Sequence, residues 1–397
     1  MKSSPENPDF EATEATLRAF VFIAPERSEP TETDLPLAGC TLAVKDLFDV
    51  QGMPTSYGSP IYADRIATQT ADAVKRAQAA GATVVGKTVT TEFATFKPGP
   101  TTNPQNPAYT PGGSSSGSAA AVGAGLVSHA IGTQTAGSVI RPAAFCGVVG
   151  FLPSMGLVSR DGLKVVSPTL DRIGVFARSV TGAHDLAAVI ADLPATGRSN
   201  TGPNRVGFFA DDTWSDADSA TRNAMRALRD TVTATGDVIV DLGDGRRIHD
   251  LIATQSDLMQ CEVARSLAPE LRNHADLISD QLTAYCEAGA KLSDAQYAAA
   301  CQIGEAGRAW IADLFETVDV IASPSARTLP PLMQDGTGDP YVNRAWSLLN
   351  VPCITMPTAP HDSGLKGAIQ LVGGIGQDLH LISIAELYEE RVLLIRP

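Results

Sequence analysis

Two glycine–serine loops, separated by one helix-length run of very small side chains, constrain this chain more than any other feature. The first loop is PGGSSSG (111–117) and the second is TAGS (135–138); SAAAVGAGLV (118–127) and HAIGTQ (129–134) lie between them. A helix built from alanine, glycine and serine fills little volume of its own, so neighbouring backbones must approach it closely to leave no void. Glycine-rich turns can curl until successive N–H groups face one point, and serine places hydroxyls at that point. The run between the two loops therefore suits a tightly packed helix.

The rest of the chain alternates strand and helix signals. TLAVK (41–45) reads as a short strand that delivers Lys45 at its end. Ala71, Val74, Ala77 and Ala80 keep helical spacing up to Gly81, and ATVV (82–85) follows as a strand. Positions 97–113 carry five prolines and form a long ordered loop, and 129–135 form a strand. Helices are expected over 179–191, 215–235, most of 250–316 and 377–390, with strands at 237–242, 319–322, 346–356 and 368–373. Residues 5–30 read as a polar lead-in with one helix, 194–204 as a turn-rich connector, and 323–340 as a proline-rich loop. Strands interleaved with helices along the whole length predict an α/β layered fold.

Composition narrows the function. Among 397 residues, 30 basic against 44 acidic side chains leave a formal charge of −14, which repels phosphate backbones and anionic membranes. Nucleic acid and membrane are therefore not expected partners. No run of about 18 apolar residues suggests a membrane span, and MKSSPENPDFEATEATLRAF at the start lacks a charged-then-apolar signal, so a cytoplasmic location is expected. The six cysteines, at 40, 146, 261, 286, 301 and 353, form no C-x-x-C pair and are read as buried thiols. No His, Cys or carboxylate spacing suggests a metal, and neither a phosphate loop nor a dinucleotide fingerprint is present, so no cofactor is expected.

The chemistry converges on the two loops. A hydroxyl at Ser138, beside a nest of main-chain amides, combines a nucleophile with an oxyanion site, as acyl transfer requires. None of the six histidines lies in a comparable loop. Lys45 ends an apolar strand, and burial there would disfavour its charged form and make it a base. A hydroxyl from the first loop would relay the proton. GSSSG (113–117) also fits the G-x-S-x-G elbow, with Ser115 as nucleophile and His361 or His380 as base, but a proline-rich loop precedes it where that motif needs a strand.

These residues resemble the amidase signature family. VKDLFDV (44–50), GKTVTTEFA (86–94), GGSSSGSAAAV (112–122), GTQTAGSVIRPA (132–143), LDRIGVFARSV (170–180), VDVIASPSA (318–326), LLNVPCITMP (348–357) and GAIQLVGGIGQD (367–378) all resemble its segments, so the likeness covers most of the chain. The resemblance implies an α/β fold with a central mixed, twisted sheet covered by helices on both faces. It implies one amidase domain over 1–397, with a signature core at 41–195, a smaller helical region at about 200–316, and closing strands and helix at 317–397. It also implies Ser138 as nucleophile, Ser114 as bridging serine after a cis Gly113–Ser114 peptide, and Lys45 as base. The spacings, 69 from Lys45 to Ser114 and 24 from Ser114 to Ser138, agree with the family arrangement. The amides of Thr135, Ala136, Gly137 and Ser138 become the oxyanion hole, and Thr133 supports the site. Ser115 and Ser116 are read as residues that support the loop.

Two departures refine the reading. Gln134 stands where the family often has aspartate, and Ala136 where it often has glycine; the variant GTQTAGS resembles the malonamidase-like branch. In that branch an arginine at the position of Arg141 grips a substrate carboxylate, the rival role being a structural ion pair. The expected activity is hydrolysis of the amide bond of a small carboxamide, carboxylated ones favoured, to acid and ammonia through a seryl ester. The partner is the small amide, and a homodimer is admitted. The alternatives are the glutaminase subunit of a tRNA-dependent amidotransferase, and a catalytically silent binding protein on the same fold.

Overall fold

In the computed structural model, which describes residues 9–25, 34–194 and 202–397, short β-rich segments pair into one mixed sheet. In chain order the strands are β1 (Phe20–Ile23), β2 (Thr41–Lys45), β3 (Thr83–Thr88), β4 (His129–Gln134), β5 (Val149–Leu152) and β6 (Arg172–Ala177). They continue as β7 (Arg205–Phe208), β8 (Val238–Asp241), β9 (Val320–Pro324), β10 (Cys353–Pro360) and β11 (Lys366–Val372). Among the described residues the sheet has eleven strands in the order β1-β3-β2-β4-β6-β5-β10-β11-β9-β7-β8. β2 runs parallel to both β3 and β4, and β7 parallel to β8 and β9; the other pairs are antiparallel.

Every residue of β4, β5, β6 and β9 is buried, the pattern of strands covered on both faces. The early helices are α1 (Phe10–Leu17), α2 (Asp72–Ala79), α3 (Ser116–Gly123), α4 (Ile140–Cys146), α5 (Val180–Ala191) and α6 (Ser219–Ala234). The later ones are α7 (Arg246–Ser266), α8 (Ala268–Asn273), α9 (Asp280–Gly289), α10 (Asp294–Phe315), α11 (Tyr341–Leu348) and α12 (Asp378–Val392). α3 packs on α4, and α5 on α12; α4 and α12 both cover β10 and β11. Among the described residues no helix is long and apolar enough to cross a membrane.

Glycines on either side of the small-residue run bring neighbouring segments into direct contact. A Cβ at Gly117 would lie 2.2 Å from the Ala19 carbonyl oxygen and 2.6 Å from the Val89 nitrogen, so α3 touches backbone directly. A Cβ at Gly132 would lie 2.7 Å from Ser115 Oγ, so β4 and the first loop close on each other for the same reason.

Several elements differ from the sequence reading. Residues 346–348 belong to α11, and the strand begins only at Cys353. Val342, Ala345, Trp346 and Leu349 are all buried at helical spacing, while Asn350 adopts a left-handed φ of 60° ahead of Pro352. β1, β5, β6 and β7 are additional to the strands expected from the sequence. Of these, β5 and β6 are short, glycine-containing strands that gain their structure from pairing, β6 with both β4 and β5. Positions 5–8 and 26–30 of the expected lead-in, and 195–201 of the expected connector, lie outside the described residues. None of the six cysteines is bonded to another; four are buried, and Cys40 and Cys301 are half-buried.

Gly117→Ala places a methyl group against a carbonyl that cannot retreat. It should lower the unfolding free energy by about 1–3 kcal/mol, read from urea denaturation midpoints at unchanged m value.

Candidate active site

β2 lies between two parallel neighbours, and its last residue sits beside Thr88 of β3. The Lys45 side chain is 0% exposed. Its Nζ lies 2.7 Å from Ser114 Oγ, 2.9 Å from Ser115 Oγ and 2.7 Å from Thr133 Oγ1. Three hydroxyls surround it, and no carboxylate lies within ion-pair distance of it among the described residues. Burial pushes its pKa well below the ordinary lysine value, opposed by the more distant charge of Asp171.

A second buried lysine on the adjacent strand shows the contrast. Lys87 Nζ donates to Asp46 Oδ1 at 2.7 Å, to Thr55 Oγ1 at 2.8 Å and to the Pro54 carbonyl at 3.1 Å. Burial lowers its pKa too, but Asp46 in direct contact acts in the opposite direction. The Asp46 carboxylate is itself held by the Ser56 amide and hydroxyl at 2.9 and 2.6 Å. Of the two buried amines, one is charge-paired and the other is surrounded only by neutral hydroxyls.

The first loop delivers Ser114 next to a cis Gly113–Ser114 peptide. Gly112, with φ of +81°, backs onto Pro142 of α4, where a Cβ would meet the Pro142 Cα at 3.0 Å. Arg141 Nη2 donates to the Gly113 carbonyl at 2.7 Å and its Nε to the Thr337 carbonyl at 2.9 Å. Ser115 donates to the Thr133 carbonyl at 3.2 Å and accepts from the Thr133 amide at 3.3 Å, pinning the first loop to β4.

The second loop leaves β4 at Gln134 and enters α4 at Ile140. Gln134, at the position where the family often has aspartate, accepts from the amides of Val139 and Ile140 at 3.0 and 3.1 Å and donates to Ser347 Oγ at 3.1 Å. A neutral amide thus caps the turn with its oxygen and anchors it with its nitrogen. Ser347 donates to the Ala136 carbonyl at 2.8 Å, and Gln255 Nε2 to the Thr135 carbonyl at 3.0 Å. Thr135 Oγ1 donates to Asp171 Oδ1 at 2.6 Å, while Asp171 Oδ2 accepts from the Val166 and Ser167 amides at 2.7 and 2.9 Å. Carbonyls on the outside of the loop are therefore tied back. Among the described residues, the amides of Ala136, Gly137 and Ser138 donate to no protein acceptor.

The structure brings Lys45, Ser114 and Thr133 into direct contact and places Ser138 at the end of the free amides. Among the described residues Ser138 Oγ makes no hydrogen bond, so the step from Ser114 to Ser138 is open in this arrangement. Ser115 touches the lysine directly, more than the loop-supporting role read from the sequence. Arg141 is 4% exposed and enters no ion pair among the described residues; its Nη1 has no partner. Burial lowers its pKa to about 10, with Asp339 acting upward and Arg344 downward. Asp171, Gln255 and Ser347 contact the second loop and were not singled out by the sequence reading. Asp171 carried a signal, a carboxylate at the head of the apolar run RIGVFA, whereas Gln255 and Ser347 come from distant helices with none.

A profile of the Amidase family matches residues 22–382. The A-type subunit of the glutamyl-tRNA(Gln) amidotransferase of Halobacterium salinarum is 32% identical over 94% of this chain and 100% of its own length. Its counterpart in Natronomonas pharaonis is 34% identical over 89% of this chain and 95% of its own. A solved amidase structure superposes with a TM-score of 0.86 at 27% identity, covering 97% of this chain and 95% of that one. The chain belongs to the amidase family, whose members act on carbon–nitrogen amide bonds.

Proposed function

We propose that the protein hydrolyses a small carboxamide to acid and ammonia, with Ser138 as nucleophile, Ser114 as proton relay and Lys45 as base. One observation carries this reading: the fully buried amine of Lys45, 2.7 Å from Ser114 Oγ, touches only hydroxyls. Burial of the amine, with no carboxylate in contact among the described residues, favours its neutral form, and the surrounding hydroxyls can accommodate that form. Ser115 spends its proton on the Thr133 carbonyl, so it accepts from Lys45. Thr133 Oγ1 accepts the second amine proton, and in the proposed reaction the lone pair of the neutral amine, 2.7 Å from Ser114 Oγ, takes the serine's proton.

Substrate closes the remaining gap, since catalytic hydrogen bonds commonly tighten only in the Michaelis complex. The proton of Ser138 passes to Ser114 as that of Ser114 passes to Lys45. Ser138 Oγ bonds to the carbonyl carbon, and the displaced electron pair on oxygen faces the amides of Ala136, Gly137 and Ser138, with Thr135 completing the hole. Collapse breaks the C–N bond as the proton returns through Ser114 to the departing nitrogen. Water repeats the sequence on the ester and frees the acid. Thr133 orients the base. Nη1 of Arg141, the donor left without a protein acceptor, is the group assigned to a substrate carboxylate.

The named relatives favour a second reading, the glutaminase component of an amidotransferase, which would use the same serine chemistry. Isolation with stoichiometric partner proteins, and ammonia release that depends on them, would select it; ammonia release by the chain alone selects the amidase. A silent binding protein would give no ammonia in either setting.

Ser138→Ala should abolish ammonia release from a responsive amide, by about 10⁴-fold or more in kcat; substantial residual turnover would remove the nucleophile assignment. Turnover should rise with pH, because only uncharged Lys45 accepts a proton. Asp171 favours the charged amine, so Asp171→Asn should shift the rising limb to lower pH. A pH–rate series on both proteins, with chemistry rate-limiting, reads that direction; an unchanged or upward shift contradicts it.

A further inference from the structure

Outside the two serine loops the chain encloses a second cleft, toward the β8 edge of the sheet. β7 and β9 are parallel neighbours there, and β9 ends at Pro324. From β7 the chain passes through a 3-10 turn, Asp211–Trp214, to the N-cap of α6 at Asp218. That turn, the first turns of α6 and Pro324 line an open cleft of about 290 Å³. The volume lies at the lower end of small-molecule sites. Its place, outside the carboxyl ends of parallel strands, is where α/β sheets commonly take ligands. None of its lining residues belongs to the two serine loops, so the cleft is separate from the nest.

The inner wall is apolar, with Trp214, Ala217 and Pro324 buried and Met225 half-buried. The rim carries both signs of charge. Asp211 and Arg226 approach each other only to 3.7 Å and both are more than half exposed, so their ion pair is loose. Among the described residues the Asp212 carboxylate enters no ion pair or hydrogen bond. Arg222 spends Nη1 on the Ser215 and Ala217 carbonyls, which fixes the turn, and leaves Nε and Nη2 without a protein acceptor among the described residues. Those two nitrogens form one edge of the guanidinium fork, the geometry that holds a carboxylate bidentately. An anion alone would meet Asp211 and Asp212, and a cation alone would meet Arg222 and Arg226. A small molecule with an apolar body and both charges at one end satisfies the wall and the rim together.

We propose that this cleft is a second binding site, for a free α-amino acid with an apolar side chain such as leucine or phenylalanine. The carboxylate takes the open edge of Arg222, the ammonium faces Asp212 and Asp211, and the side chain lies against Trp214 and Met225. The site goes beyond the hydrolase reading and does not depend on it.

The test is run on Ser138→Ala, so that amide derivatives persist whether or not the protein is a hydrolase. Of the three tryptophans, Trp214 is the one that lines the cleft. Leucine and phenylalanine should change the tryptophan emission saturably, and Trp214→Phe should remove that change while calorimetry still detects binding. N-acetyl-leucine lacks the ammonium, leucinamide the carboxylate and glycine the side chain; each should bind about tenfold or more weakly than leucine. Asp212→Asn, at an exposed carboxylate, should weaken leucine and leave N-acetyl-leucine no weaker. Met225→Trp should fill the cleft and block leucine, with an unchanged urea midpoint as the check on folding. No saturable binding of leucine or phenylalanine up to about 20 mM would overturn the proposal. Derivatives that bind as well as leucine would remove the amino-acid class. Leucine binding that persists undiminished in both Asp212→Asn and Met225→Trp would put the ligand elsewhere and sink the site.

Discussion

The amine of Lys45 is fully enclosed by three hydroxyls, and the nearest electrostatic partner, Asp171, does not touch it. Much of the surrounding architecture follows from keeping it so. β2 is flanked on both edges, which removes solvent from the end of the strand. Glycine at 117 and 132 lets α3 and β4 come close enough for Ser115 and Thr133 to meet the amine. Bulkier residues there would part the two loops and admit solvent, which would favour the charged form of the amine.

Charge is sorted between neighbouring buried groups. Lys87, one strand away, holds Asp46 at 2.7 Å, and removing either partner would strand a buried charge at a cost of about 3–5 kcal/mol. That pair braces the turn after β2 through Ser56 and Thr55. Asp171 is braced by Thr135 and two amides, so it supports the nest and biases Lys45 from a distance. Gln134 performs with a neutral amide a capping task that a carboxylate could share. With glutamine there, no extra negative charge is introduced beside the amides assigned to the oxyanion.

Much of the fold was legible in the chain. Periodicity placed α2, α5, α6 and α12, and the α/β alternation, because those segments carry their apolar pattern locally. It failed at β1, β5, β6 and β7, four- to six-residue strands whose stability comes from pairing partners far away in sequence. It also misread the end of α11 as strand, where continuous apolar character hid a helical spacing that only Asn350 and Pro352 bring to an end.

The site divides along the same line. Residue types alone pointed to Ser138, to a hydroxyl of the first loop and to Lys45, since hydroxyls on glycine-rich turns and a lysine ending an apolar strand are local features; Ser114 and Thr133 came from the family resemblance, and the Lys45 amine lies 2.7 Å from each. Only the tertiary structure decided which buried lysine lacks an acid, and that Ser115 joins it. The same holds for Gln255 and Ser347, which reach the loop carbonyls from distant helices. Those outcomes depend on desolvation and on contacts between segments more than a hundred residues apart, such as Gln255 to Thr135 at a separation of 120, and no local pattern encodes which of many polar residues will arrive there.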